Sequence, residues 1–264
     1  MAAPVPDMRP LIISAPFGNY VQPRGTTATL GTFTLLARPG RVWRILRTVR
    51  YYPRLRAWIN QIGLRNPGMP WLVERVKQRR IDCSDKIVSV HGFNDADWYT
   101  LLDHCSTVAP LAVELNMSCP NVGAIEWPAD LFTRAVATGL TVIVKLPPVN
   151  FDLLAEHAVD QGVRWFHCCN TLPTPRGGVS GKPLLPVALQ CVRTLRRRYG
   201  QQGLTLIGGG GITTPADLDA FAAAGADHFA VGTKVMNPRY LFSHAGLTPL
   251  IEHARRGSEP IIRA

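Results

Sequence analysis

Apolar positions along the chain fall into two rhythms. Short apolar runs at 11–14, 28–36, 86–91, 111–115, 141–146, 165–171, 204–207 and 228–231 read as strands, most of them buried on both faces. Between them, apolar residues recur three and four positions apart, which predicts helices over 70–80, from Asn94 to about 108, 128–138, 151–161, 184–199, 215–224 and about 238–255. Asn94 is placed to cap its helix, with Asp95 and Asp97 in the first turn. Gly139, Gly162, Gly200 and Gly225 stand at or just past helix ends. Strand and helix alternate at a spacing of roughly 30 residues, the pattern of a parallel sheet built from βα units. Eight strands predict a (β/α)8 TIM barrel, with an open doubly wound sheet as the alternative.

The N-terminal part breaks this regularity. Only about ten residues of Pro-, Gly- and Thr-rich chain separate the first two strands, too few for a crossover helix. The segment 41–59 is ambiguous between an amphipathic helix and a pair of strands, with Pro53 interrupting either. It leads into 59–68 (INQIGLRNPG), whose Asn and Gly content suits close approach to a ligand. The expected organisation is therefore one barrel domain over 1–264, lacking the first crossover helix and carrying a basic, irregular insertion at about 37–69.

Composition narrows the function classes. The 264 residues can bury one substantial core, and 46% are hydrophobic without any apolar stretch near 18 residues. The first residues, MAAPVPDMRP, lack a charged-then-apolar signal layout, so a soluble, cytoplasmic protein without a membrane span is expected. Six cysteines form no CxxC pair, which argues against a local metal site. The formal charge of +11 is concentrated in 38–65, where arginines alternate with Trp43, Tyr51, Tyr52 and Trp58 and no acidic residue occurs. This is either a solvated basic surface or a patch for phosphates, nucleic acid or an acidic partner; nucleic acid is disfavoured because no nucleic-acid fold signature accompanies it.

Candidate chemistry gathers at predicted strand ends. The run 111–121 (LAVELNMSCPN) passes from a buried strand to small polar groups. Asn116 and Asn121 can read a flat, amide-bearing ligand, and Cys119 can take a proton once its pKa is lowered. The alternative is that NMSCPN is only a tight turn. Lys145 is the one charge in an apolar strand, and needs an anion or polar ligand in the barrel mouth unless it snorkels to the rim. Asn170 and Thr171 end another strand, and 176–182 beyond them reads as a flexible loop. Glycine-bearing loops at 208–211 and 232–233 follow the seventh and eighth strands, where bare backbone N–H groups can grip a phosphate.

With these residues assembled, the chain resembles the FMN-dependent dihydroorotate dehydrogenases. The likeness runs in order through RPLIISAPFG, TFTLLARPG, INQIGLRNPG, VELNMSCPN, VIVKLPP, CNT before GGVSGKPL, LIGGGGI and AVGT. It implies FMN with its phosphate on Gly210, Gly211, Gly232 and Thr233, Lys145 beside the flavin ring, and Ser14 and Gly181 completing the cofactor set. Asn60, Asn116, Asn121, Asn170 and Thr171 would take dihydroorotate or a similar cyclic compound. Cys119, the base of the soluble class, would remove the C5 proton while C6 delivers hydride to the flavin. A homodimer or an electron-transfer subunit is the partner this resemblance implies, and the electron acceptor stays open. The chain departs from the family pattern at Gly31, where a lysine is usual, at the first strand end, which reads Ile13-Ser14-Ala15, and in its short loop 122–127. Two alternatives follow: an FMN-dependent ene-reductase or oxidase of another cyclic substrate, and a non-catalytic binding protein that uses the basic 38–65 face.

Overall fold

The computed structural model describes residues 7–118 and 127–258. In chain order, β1 (Leu11–Ile13), a 3-10 turn at Phe17–Asn19 and β2 (Thr26–Phe33) are followed by α1 (Arg41–Thr48), β3 (Arg50–Tyr52), β4 (Ala57–Asn60) and α2 (Met69–Lys77). Regular alternation begins with β5 (Ile87–Val90), α3 (Asp95–Val108), β6 (Ala112–Asn116), α4 (Leu131–Ala137), β7 (Val142–Lys145), α5 (Asp152–Asp160) and β8 (Trp165–Cys168). After β9 (Leu172–Thr174) and β10 (Gly177–Gly181), it resumes through α6 (Leu185–Tyr199), β11 (Thr205–Gly209), α7 (Pro215–Ala224), β12 (His228–Val231) and α8 (Thr248–Ser258).

Eight parallel strands close on themselves in the order β1-β12-β11-β8-β7-β6-β5-β2, with helices between them, so the fold is a (β/α)8 TIM barrel. The short first crossover holds only the 3-10 turn, and β1 still pairs in parallel with β2. The remaining strands, β3-β4-β10-β9, form a separate antiparallel sheet.

Period-2 alternation along the barrel strands separates two environments. Val88, Val90, Val113, Leu115, Val142, Val144, Phe166 and Leu206 belong to the large core that also contains the buried helix residues. The alternate positions Ile12, Ile87, Ala112, Ile143, Ile207 and Ala230 make a second, smaller apolar cluster with Met8. One step further along each strand, that alternate set turns polar: Ser14, Ser89, Glu114, Lys145 and His167 are all buried. The barrel is thus plugged by aliphatic side chains at one end and lined with polar groups toward the C-terminal strand ends.

Local chemistry explains several boundaries. The Asn94 side chain accepts from Asp97 N–H at the start of α3, and α7 begins with a complete capping box between Thr214 and Asp217. Gly225 ends α7 in the left-handed region at φ 101°.

Other elements differ from the sequence expectation. Residues 177–181 are not a flexible loop but β10, buried throughout and paired antiparallel with β4 from Ala57 to Asn60. Glycine is required here by close approach: a Cβ on Gly181 would stand 2.3 Å from Arg56 O. The ambiguous 41–59 segment is both things in turn, helix α1 and then the β3–β4 hairpin. The 238–255 stretch is two 3-10 turns, Pro238–Leu241 and Ala245–Leu247, before α8 begins, and α4 starts at Leu131 rather than at 128. In the 59–68 loop, Asn66 is fully engaged with its own chain: Oδ1 accepts from the backbone N–H groups of Thr34 and Gly68, and Nδ2 donates to Thr34 Oγ1 and Leu64 O. It shapes the loop rather than facing a ligand.

Candidate active site at the barrel mouth

The C-terminal ends of the barrel strands surround a cavity lined by Ser14, Thr32, Asn60, Asn116, Lys145, His167, Asn170, Thr171, Gly210, Gly232 and Thr233, among others. Nine residues named from sequence therefore converge on it: Ser14, Asn60, Asn116, Lys145, Asn170, Thr171, Gly210, Gly232 and Thr233. Gly211 and Gly181 are outside the lining, where the loop after β11 touches the end of β10: a Cβ on Gly211 would meet Gly181 O at 2.6 Å. Cys119 and Asn121 lie outside the described residues.

The floor of the cavity is a directional hydrogen-bond relay. Asn170 Nδ2 donates to Asn116 Oδ1 at 2.9 Å, and Asn116 Nδ2 donates to Thr32 Oγ1 at 3.0 Å. Thr32 and Ser89 hydroxyls meet at 2.9 Å, and Ser89 Oγ donates to Glu114 Oε1 at 2.8 Å. A carboxylate can only accept, so its end sets the direction of every bond: protons point from Asn170 toward Glu114. The relay leaves the Asn170 carbonyl committed to Thr171 N–H, at 2.9 Å.

Glu114 is the centre of this floor. Its relative exposure is 1%, with Lys145 Nζ 3.6 Å from Oε1 and His167 Nδ1 2.7 Å from Oε2. Burial alone would raise its pKa, but Lys145, His167 and the Ser89 hydroxyl together bring it from 4.5 down to about 2. Burial pushes the His167 pKa down, with Lys145 adding to that effect, so the ring is held neutral near pH 7. Because Glu114 is ionised, His167 Nδ1 carries the proton and Nε2 is left as an acceptor. His91 sits behind Asn116, donating from Nδ1 to Asn116 O at 2.8 Å, and burial lowers its pKa as well.

Lys145 thus meets an anion inside the barrel and is only 6% exposed. Glu114, Ser89, Thr32 and His167 were not picked out from sequence. The signal for them was the inward set of alternate strand positions, where Ser89 pairs with Glu114 and Lys145 with His167 in adjacent strands. Arg65 also lines the cavity; Nη1 donates to Pro39 O, and Nε is buried without a partner among the described residues.

At the opposite wall, the backbone N–H groups of Gly210, Gly211, Gly232 and Thr233 donate to no acceptor among the described residues. The N-terminus of α7 is already satisfied from within the protein. Asp217 Oδ2 already takes Thr213 N–H, Thr213 Oγ1–H and Thr214 N–H, and Asp217 Oδ1 accepts from Lys182 Nζ at 2.7 Å. An anion at this wall would be held by loop N–H groups rather than by that helix end.

Residues 23–244 match the family described as dihydroorotate dehydrogenase. The chain belongs to the dihydroorotate dehydrogenase family. It is 34% identical over 209 residues to the catalytic subunit of dihydroorotate dehydrogenase B (NAD(+)) of Latilactobacillus sakei, covering 66% of this chain and 66% of that protein. To dihydroorotate dehydrogenase A (fumarate) of Limosilactobacillus reuteri it is 29% identical over 234 residues, 71% of this chain and 73% of that protein. The chain spans just under two thirds of the length of the first of these relatives. The ligand-free dihydroorotate dehydrogenase of Eimeria tenella superposes with a TM-score of 0.71 at 17% identity, over 94% of this chain and 85% of that one, a likeness of fold. Dihydroorotate dehydrogenases are FMN-dependent flavoproteins acting on the CH–CH bond of dihydroorotate.

The mouth of this barrel fits such a cofactor. Gly210 has φ 127°, and a Cβ there would press within 3.0 Å of the Ala188 and Leu184 side chains, so bare backbone faces the wall. A Cβ on Gly232 would stand 3.6 Å from that of Ser14, the two strand ends being that close. Four undonated N–H groups on adjacent loops suit a phosphate, and Lys145 suits the electron-rich part of a ring above the barrel floor.

The Gly31 departure has a structural reason. Its φ is 104°, and a Cβ would meet Ser89 O at 2.5 Å and Phe33 N at 2.8 Å, at the irregularity where β2 shifts register against β5. Gly31→Lys is therefore expected to destabilise the protein by about 1–3 kcal/mol from left-handed strain and overpacking, without supplying a usable lysine. A urea titration checks this; a Gly31→Lys protein as stable as the parent would contradict the backbone geometry.

Proposed function

We propose that the chain binds FMN and oxidises dihydroorotate to orotate, the reaction of pyrimidine biosynthesis. The observation that supports this reading best is the convergence, around one cavity, of the Asn170–Asn116–Thr32–Ser89–Glu114 relay, the buried Lys145 and the bare N–H groups of the last two strand loops. FMN, once bound, supplies the hydride-accepting chemistry.

The chain's own residues then have separable tasks. Gly210, Gly211, Gly232 and Thr233 hold the phosphate through backbone N–H groups, with Ser14 beside them. Lys145, fixed by Glu114, presents its ammonium to the ring. Asn60, Asn116, Asn170 and Thr171 orient the pyrimidine, with Asn121 added from the sequence pattern. Asn116 and Asn170 are locked by hydrogen bonds to each other, so their amides reach a ligand already oriented. Cys119, next in sequence after Ser118, takes the C5 proton; a free thiol of pKa about 8.5 has to be lowered to act near neutrality. Gly181 supports the grip indirectly: its carbonyl oxygen lies against Gly211, whose missing Cβ permits the approach. Acceptor and assembly follow the relatives only by analogy: an electron-transfer subunit of the B-type enzymes is one reading, and a homodimer another.

A second reading keeps the flavin and changes the substrate to another unsaturated cyclic acid. Gly31, which excludes any side chain, favours it, because the cavity lacks that cation and has Arg65 at its rim instead. A panel of pyrimidine and other cyclic acids, scored by bleaching of the flavin spectrum without oxygen, separates the two. Bleaching by dihydroorotate sustains the first; bleaching by another compound alone replaces it with the second. The non-catalytic alternative loses support because Arg38, Arg41 and Arg44 of the basic face donate inward to backbone carbonyls.

A further inference from the structure

Helix α1 is packed inside out. Its polar positions Arg41, Arg44 and Thr48 face the protein: Arg41 Nε donates to Arg65 O, Arg44 Nε donates to Gln61 O, and Thr48 Oγ1 accepts from Gln61 N–H. Three of its four apolar positions face water, with Val42 71%, Trp43 62% and Leu46 64% exposed; Ile45 is half-buried, and no residue of the helix is fully buried. Positions 42, 43 and 46 share one side of a helix, so these exposures form a single patch. An amphipathic helix normally turns that side to the core. Here arginine-to-carbonyl hydrogen bonds hold the opposite side down, and the apolar side stays available by construction.

Cations surround the patch. Arg47 lies with its guanidinium 5.6 Å from the Trp43 ring centre, and Arg50 follows at the end of the helix, donating to Leu46 O and Val49 O. Leu55 is 58% exposed just beyond, in the hairpin that follows. No acidic residue occurs anywhere between 38 and 65. A second copy of the chain is a poor occupant, because a two-fold contact through this face would set the arginines against themselves. A nucleic acid would use the charge and leave Val42, Trp43 and Leu46 in water. Tryptophan and leucine presented beside arginines on one exposed helix side match the boundary between anionic headgroups and acyl chains.

We propose that α1 is a membrane-surface anchor that docks the protein on anionic lipid, lying in the interface without spanning the bilayer. Among the described residues no helix is long and apolar enough to cross a membrane, so attachment would be reversible and peripheral. The inference stands on α1 alone and does not depend on the flavin reading.

The test is co-sedimentation of the full chain with phosphatidylcholine vesicles, with and without 30% phosphatidylglycerol, at about 0.15 M salt. The expected result is binding to the anionic vesicles only, reduced at least about tenfold by Trp43→Ser with Leu46→Ser, and likewise by Arg47→Glu with Arg50→Glu. Each variant changes exposed side chains, and unchanged circular dichroism and thermal transition confirm folding. Absence of binding to anionic vesicles overturns the proposal. So does binding that ignores the loss of Trp43 and Leu46 and is displaced by duplex DNA, which would assign a nucleic-acid face. A dimer in sedimentation equilibrium that the Trp43→Ser, Leu46→Ser protein loses would also overturn it, assigning the patch to self-association.

Discussion

Glu114→Gln is expected to cost about 3–5 kcal/mol of folding stability, because it leaves Lys145 as an uncompensated charge in the barrel. The glutamine keeps the shape and can still accept from Ser89, but its amide group opposes His167 Nδ1–H. Urea unfolding measures the loss. Adding Lys145→Met should recover part of it, since no unpaired charge then remains; that non-additivity distinguishes a charge effect from poor packing. A loss below about 1 kcal/mol for the single variant would mean that Lys145 finds another partner.

The same group gives stability a definite pH dependence. The folded-state pKa of Glu114 lies below its ordinary value of 4.5, at about 2. Its contribution is therefore complete above about pH 4.5 and disappears as the pH falls toward 2. His167 and His91 are held neutral with pKa values below 6.5, so each resists protonation that the unfolded chain accepts, and stability begins to fall below about pH 6.5. Acid denaturation should thus run in two stages, histidines first and Glu114 later. In Glu114→Gln the later stage should flatten.

Cys119→Ser is expected to slow substrate-driven reduction of bound flavin by about 10²–10⁴-fold, the usual contribution of a positioned base, with flavin binding unchanged. Rapid mixing without oxygen reads this directly. Serine lacks a thiol's acidity, so a steeper rise of the residual rate with pH is expected. An unaltered rate would remove Cys119 from the chemistry and leave the role of base to another group at the mouth, of which His167 Nε2 is the neutral acceptor in place.

Much of the barrel was legible because its signals are local. The capping box of Thr214 and Asp217 and the left-handed Gly225 bracket α7, and a four-residue apolar strand follows at once. Asn94 announces α3 in the same way. What stayed hidden depends on distant partners. The β10 strand is glycine-rich and resembles a loop until β4 supplies its hydrogen bonds, with Gly178 opposite Asn60. Helix α1 was ambiguous because its apolar side packs against no core among the described residues.

The site divides along the same line. Asn116, Lys145, Asn170 and the glycine loops stood out as polar or glycine interruptions at the ends of apolar strands, and they meet at one cavity. Glu114 was unnoticed between Val113 and Leu115, since a carboxylate inside a strand becomes meaningful only when His167 and Lys145 close around it. The inward-facing set of strand positions holds that information, but it can be read only once strand register is known. Cys119 and Asn121 still rest on the ELNMSCPN pattern and on the placement of Asn116 and Ser118 immediately before them.

The most direct measurement of the central claim is an anaerobic titration of the FMN-loaded protein with dihydroorotate, followed by visible absorption. Bleaching of the oxidised flavin band with formation of one orotate per flavin is the predicted result. A flavin that binds yet stays oxidised at saturating dihydroorotate would contradict it.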